Sequence, residues 1–142
     1  MQRGFDYEYD ISRETLRKLW GIFKSGSPGQ ASGGWEKSEH YNLILENYEA
    51  MDFDFSEEGQ VLEILALLQL KENLDTSKYY VTGSVAYSGG KGSNRIGELD
   101  IVIAEIETCR VITVGEVKIN PRRLGKAKGQ LSRFRRFLDG VN

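Results

Sequence analysis

The chain has 142 residues, 39% of them apolar and 28% charged, and a net charge of −2, which is typical of a globular domain with a buried core. No stretch approaches the roughly 20 apolar residues that a membrane-spanning helix requires, so we expect no membrane partner. The first ten residues lack the apolar region of a signal peptide, and the single cysteine, Cys109, cannot form an internal disulfide. We therefore expect a soluble protein of a reducing, intracellular (cytoplasmic) compartment.

Two amphipathic helices are predicted near the N-terminus. The spacing of apolar residues predicts the first over 11–24, where Ser12 can cap it, and the second over 35–50. A Gly/Ser-rich loop at 25–34 joins them. Residues 1–55 match no pattern that carries chemistry, and we interpret them as a helical extension.

A third helix is predicted from Ser56, and it differs from the first two. Between Val61 and Leu70 it is apolar nearly all round, which implies that it is buried. Glu63 is the only charged residue in that run. Because an ionised carboxylate is costly to bury alone, a metal ion or a lysine is expected to pair with it.

Three strands and a final helix are predicted in the rest of the chain. The strand segments are 79–87, 98–106 and 111–119, and each is rich in β-branched or aromatic residues. Their short connections favour an antiparallel meander. An apolar stripe predicts the helix over 124–138. The predicted fold is therefore α/β with α+β order: N-terminal helices, a helix, a three-stranded antiparallel meander, and a helix.

The second and third strands bring charged side chains to one face. If their turn is centred on Thr108, antiparallel pairing places Asp100 opposite Glu116. Opposed carboxylates repel each other unless a cation lies between them. Lys118, two residues after Glu116, is expected on the same face, as is Glu98, two residues before Asp100.

This arrangement suits phosphodiester chemistry. Carboxylate oxygens favour Mg²⁺ or Mn²⁺, which can polarise a phosphoryl oxygen and generate hydroxide. Lys118 can orient or deprotonate the attacking water, or stabilise developing negative charge. The alternative is a surface ladder of Glu and Lys without function. The opposed Asp100, the isolated Glu63 and the basic helix that follows favour a site.

Charge is also segregated along the chain. Ten acids and one base lie between Glu39 and Asp75, whereas eight bases and no acid lie between Lys118 and Arg136. A charge run alone is most often a solvated helix face. A local basic stripe is also what binds a polyanion, because each neutralised phosphate releases counterions.

The motifs resemble those of the PD-(D/E)XK nuclease superfamily, which has the restriction-endonuclease-like fold. The resemblance covers about residues 56 to 138 and is carried, in chain order, by Gly59-Gln60-Val61-Leu62-Glu63, Gly97-Glu98-Leu99-Asp100-Ile101-Val102, Glu116-Val117-Lys118 and Gln130. The Gly-Glu-hydrophobic-Asp form is similar to that of Holliday-junction-resolvase-like and RecB-like members. The nuclease core would then span 56–142.

The resemblance implies roles for these residues. Asp100 and Glu116 would bind the metal directly, the carbonyl of Val117 would add a ligand, and Glu63 would assist through water. Lys118 would be the catalytic lysine. Gln130 would reach the active face of the sheet. The residues expected to contact nucleic acid are Gln130, Lys126, Lys128, Arg133, Arg122, Arg123 and Lys91.

The predicted function is a Mg²⁺- or Mn²⁺-dependent endonuclease that hydrolyses phosphodiester bonds, with DNA favoured over RNA. Two alternatives remain: a catalytically inactive nucleic-acid-binding or assembly module of the same fold, and a protein–protein module. A homodimer is compatible with the sequence, since duplex cleavage often uses twofold symmetry.

Overall fold

The computed structural model describes residues 11–88 and 95–141, and they form two compact units, 11–73 and 74–141. The first unit is helical, and the second contains two small antiparallel sheets and one helix. The predicted combination of helices with antiparallel strands is confirmed, whereas the restriction-endonuclease-like arrangement stays a prediction. Among the described helices, none has the length and apolar character needed to cross a bilayer.

The helical unit contains three helices: α1 (Arg13–Lys24), α2 (Glu39–Asn47) and α3 (Glu58–Asn73). The predicted cap of α1 is confirmed, because the Ser12 hydroxyl oxygen accepts a hydrogen bond from the Thr15 N–H at 3.2 Å. Ser38 caps α2 in the same way, so α2 is shorter than predicted. The residues on either side of α2 form 3₁₀ turns, Trp35–Lys37 and Tyr48–Ala50.

The third helix, whose apolar residues on nearly all sides predicted burial, is buried in the structure. Its buried residues are Val61, Leu62, Ile64, Leu65, Ala66, Leu67, Leu68 and Leu70. α3 packs against both α1 and α2. Phe23 of α1 adds an aromatic cluster, with ring centroids 5.4 Å from Tyr48 and 5.7 Å from Phe55. The predicted start of the nuclease core at residue 56 was placed from the motifs and stays a prediction. In the structure, α3 packs with the two helices that precede this position.

The strand unit contains five strands: β1 (Tyr79–Thr82), β2 (Val85–Ser88), β3 (Arg95–Leu99), β4 (Ile101–Glu105) and β5 (Val111–Gly115). β4 lies between β1 and β5 in one sheet, and β2 pairs with β3 in another. The prediction of three continuous strands is wrong in detail. The first is interrupted at Ser84, whose φ is +53°, and the second bends at Asp100. The third ends at Gly115, four residues earlier than predicted.

The register of the β4–β5 hairpin is as predicted. Ile101 pairs with Gly115 and Ile103 with Thr113, the register that a turn centred on Thr108 would give, although a bulge between Ile103 and Ala104 shifts the pairing by one residue nearer the turn. Val102 and Ile103 are neighbours that point to opposite faces of the strand, and both are buried. Both faces of β4 are therefore covered.

The last helix, α4 (Leu124–Val141), extends three residues beyond its predicted end. It packs on the β2–β3 hairpin through aromatic rings. The Tyr87 ring lies 5.0 Å from that of Phe134 and 4.9 Å from that of Phe137, centroid to centroid. Tyr87 pairs across the hairpin with Gly97, and a Cβ atom at Gly97 would lie 2.6 Å from the Tyr87 hydroxyl oxygen. The glycine therefore provides the space that the tyrosine ring occupies.

The Gly97→Ala variant is expected to lower the free energy of unfolding by about 1–3 kcal/mol, because the new methyl group displaces Tyr87 from α4. Gly115→Ala is the matched control, since its nearest neighbour, the Ile101 Cβ, lies at an ordinary 3.4 Å. Urea denaturation of both variants measures the difference. Equal stability of Gly97→Ala and wild type would show that the ring is not held against this glycine.

Candidate active site

Asp100 and Glu116 lie at the same end of the β4–β5 hairpin. Asp100 is the bend before β4, and Glu116 directly follows β5, so they come next to the Ile101–Gly115 pair. The Asp100 Oδ2 accepts a hydrogen bond from the Val117 N–H at 2.9 Å. This hydrogen bond from backbone to side chain continues the hydrogen-bond ladder of β4 and β5 just beyond the ends of the two strands. The predicted opposition of Asp100 and Glu116 is confirmed.

Glu116 is in an unusual electrostatic environment. Both of its carboxylate oxygens are buried, and neither accepts a hydrogen bond of ordinary length and angle from the described residues. Burial raises the pKa of Glu116 most and the adjacent Asp100 carboxyl raises it too, whereas the Lys118 ammonium and the Asp100 N–H lower it; together these effects bring the pKa to about 8. Two adjacent carboxyls disfavour each other's ionisation. The pair therefore retains a proton near neutral pH unless a cation replaces it.

Lys118 is not on a strand, contrary to the prediction. β5 ends at Gly115 because its partner strand starts at Ile101, which leaves no backbone for residues 116–119 to pair with. The Asp100 side chain instead takes the Val117 N–H. Lys118 is nevertheless close enough to lower the pKa of Glu116. The structure thus brings together Asp100, Glu116, Val117 and Lys118, although by a loop rather than by a shared strand face.

The pair fits a hard divalent cation. Within 11–88 and 95–141, no three His, Cys, Asp or Glu side chains gather into a metal-binding group. Mg²⁺ usually takes only one or two protein carboxylates and keeps several waters, so two carboxylates suffice. Glu116 offers two buried oxygens without a donor, and Asp100 offers the oxygen that does not bind Val117. The Val117 carbonyl belongs to the same loop.

The other predicted site residues lie on helices. Glu63 is half-buried on α3 of the helical unit, and its role at the carboxylate pair stays a prediction. Gln130 is on α4, where its Oε1 is buried without a hydrogen-bond donor among the described residues. Glu58 has a similar oxygen, but that atom lies 3.8 Å from the Arg17 Nε. Among the residues that the structure describes, the other buried side-chain oxygens without a hydrogen bond belong to Glu116 and Gln130, both predicted site residues.

The predicted nucleic-acid contacts on and before α4 are solvent-exposed. They are Arg122, Arg123, Lys126, Lys128 and Arg133. In the part of the chain that the structure describes, none of them forms an ion pair. Their charges are thus available to a polyanion. Lys91 lies outside the described residues.

The contact between Tyr87 and Gly97 is the feature that the sequence did not reveal. Tyr87 anchors α4, the helix that carries Gln130, on the β2–β3 hairpin. A glycine within a strand often marks a close approach of another group, but Gly97 lay one residue outside the predicted strand. His40 is half-buried, with a ring nitrogen 3.5 Å from the Gln69 amide nitrogen, which favours a packed role.

The chain matches no protein-family model, no curated protein and no solved structure. The resemblance to PD-(D/E)XK nucleases therefore stays a prediction from motifs, and the functional argument depends on the geometry around Asp100 and Glu116.

Proposed function

We propose that the protein is a Mg²⁺- or Mn²⁺-dependent endonuclease of the PD-(D/E)XK type, hydrolysing phosphodiester bonds in nucleic acid, with DNA favoured over RNA. One observation carries the proposal. Glu116 buries two oxygens without a donor directly beside a second carboxyl, Asp100. Such a pair is unfavourable for the fold and is what a divalent cation requires.

Asp100, Glu116 and Val117 are the residues that we assign to metal binding. Asp100 and Glu116 would hold the metal, and the Val117 carbonyl would be the additional ligand. The Val117 N–H keeps the Asp100 carboxylate in one orientation, as groups around metal ligands commonly do. When bound, the metal supplies charge for the phosphoryl oxygen and lowers the pKa of a bound water.

Lys118 acts on the reacting phosphate or the attacking water. Its ammonium lies near Glu116, so it carries positive charge into a site that would otherwise be negative. It donates hydrogen bonds to the negative charge that develops during hydrolysis, or it orients the nucleophile. Exposed bases on one edge of α4 hold the sugar–phosphate backbone, and Gln130 assists at the substrate.

A binding or assembly module without turnover is the second candidate. The exposed bases of α4, which form no ion pair within the described ranges, favour nucleic-acid binding whether or not cleavage occurs. Both candidates bind nucleic acid, but only the endonuclease hydrolyses it. Nucleic-acid binding without cleavage would therefore distinguish the module from the enzyme.

The first test is cleavage of supercoiled plasmid and of a labelled single-stranded oligonucleotide with Mg²⁺, Mn²⁺ or EDTA. We expect cutting with either metal and none with EDTA, and the activity should follow the protein through gel filtration. Calorimetric titration of the protein with Mn²⁺ gives a readout without substrate. Nucleic-acid binding without cleavage supports the module, whereas neither metal binding nor cleavage rejects the endonuclease.

A further inference from the structure

The orientation of α4 about its own axis is fixed by contacts within the strand unit. Ala127 is 7% exposed, and Phe134 and Phe137 pack on Tyr87 of the β2–β3 hairpin. These residues recur at helical spacing, so they define one packed face of α4. The remaining positions lie on its two edges or face solvent.

Each edge of this face carries one lysine and one arginine. On one edge Lys126 and Arg133 are the i−4 and i+3 neighbours of Gln130. On the other edge Lys128 and Arg135 are the i−3 and i+4 neighbours of Leu131. Both pairs are two turns apart, about 10 Å along the axis. The four cations are exposed, and none forms an ion pair with a described residue.

The two edges differ in what lies between the cations. Gln130 directs a buried amide oxygen inward, without a donor among the described residues, whereas Leu131 is apolar. An amide can turn over to donate or accept, so Gln130 can serve a phosphate, a sugar or a bound water. α4 also contacts β3, the strand that runs directly into Asp100. The Gln130 edge therefore combines charge, an unsatisfied polar group and a packing partner that leads to the carboxylate pair.

We propose that the nucleic-acid backbone follows the Gln130 edge of α4, where Lys126 and Arg133 bind its phosphates. Arg135 and, in contrast to the expectation from the sequence, Lys128 do not contact it. The inference rests on the proposed function and assigns the substrate path of that site. Lys126 and Arg133 bind phosphates on either side of Gln130, so the nucleic-acid strand passes over the Gln130 amide. On the opposite edge, the Lys128 and Arg135 side chains stay solvated.

The two edges provide matched double variants. Lys126→Gln/Arg133→Gln and Lys128→Gln/Arg135→Gln each remove one lysine and one arginine from the same helix, so long-range electrostatics change equally. Binding of a labelled DNA oligonucleotide is measured by fluorescence anisotropy in EDTA over a range of salt concentrations. We expect the first variant to bind about 10–100-fold more weakly with a salt slope smaller by about two, and the second to stay within about threefold of wild type.

The possible results separate this inference from the proposed function. Equal weakening by both variants, or greater weakening by the Lys128/Arg135 variant, overturns the assigned path. A wild-type protein that does not bind DNA in EDTA overturns it as well. Selective weakening by the Lys126/Arg133 variant supports it even if the wild type fails to cleave, in which case only the endonuclease proposal falls. Thermal unfolding of both variants shows that the fold is kept.

Discussion

Replacing Lys118 with methionine is expected to lower the cleavage rate by about 10³-fold or more, while the fold and metal binding persist. Methionine keeps most of the half-buried stem and removes only the ammonium, the group that opposes the raised pKa of Glu116. Its loss should raise that pKa further, so the variant needs a higher pH to bind metal. Single-turnover cleavage at saturating protein measures the chemical step without the binding step.

Lys78→Met is the matched control for this substitution. Lys78 is exposed and immediately precedes β1, whose first residue, Tyr79, pairs with Glu105. It therefore lies at the end of the three-stranded sheet opposite to Asp100. We expect this variant to cut at the wild-type rate. A Lys118→Met protein that retains more than about a tenth of the activity would remove Lys118 from the catalytic step.

The hairpin register is the part of the site that the sequence predicted best. Pairing in an antiparallel hairpin starts from where the turn lies, so a turn placed at Thr108 opposed Asp100 and Glu116. The bulge between Ile103 and Ala104, which also sets this register, was not predicted. The strand ends were not predictable in the same way. Residues 116–119 have strand composition, but a strand needs a partner backbone, and the bend at Asp100 removes it.

The helices show a similar division. All-round apolarity correctly predicted that α3 is buried, but a helix without a polar face does not reveal which neighbours enclose it. In the sequence, Gln130 lies at the edge of the apolar stripe that predicted α4, which is compatible with its position beside the packed face. The buried state of its amide oxygen depends on how tightly α4 lies on the hairpin, and Tyr87 and Gly97, which set that contact, were not recognised.

Glu116→Gln is expected to abolish cleavage and, at alkaline pH, to stabilise the fold. The folded protein holds a proton on the carboxyl pair over a pH range in which the unfolded chain has lost it, because the pKa of Glu116 is raised from 4.5 to about 8. The folded state thus binds more protons than the unfolded state, and the free energy of unfolding falls as pH rises through this window. Glutamine has no proton to lose.

The wild-type curve should therefore decline between about pH 4.5 and 8, while the variant curve stays nearly flat. Above this window we expect the variant to be more stable by about 1–2 kcal/mol, a value reduced for solvent screening around a half-buried group. Urea denaturation of both proteins across this range, in EDTA, measures the difference. Glu107→Gln, in the exposed β4–β5 turn, is the control and should follow the wild type.

Adding Mg²⁺ connects this stability effect with the proposed function. A metal that binds only the folded protein should raise the melting temperature of the wild type at alkaline pH, where the carboxyl pair is ionised. It should leave Glu116→Gln nearly unchanged, because one ligand has lost its charge. A wild type whose stability neither falls with pH nor responds to Mg²⁺ would show that the two carboxyls do not share a confined site, and the catalytic assignment of Glu116 would fail with it.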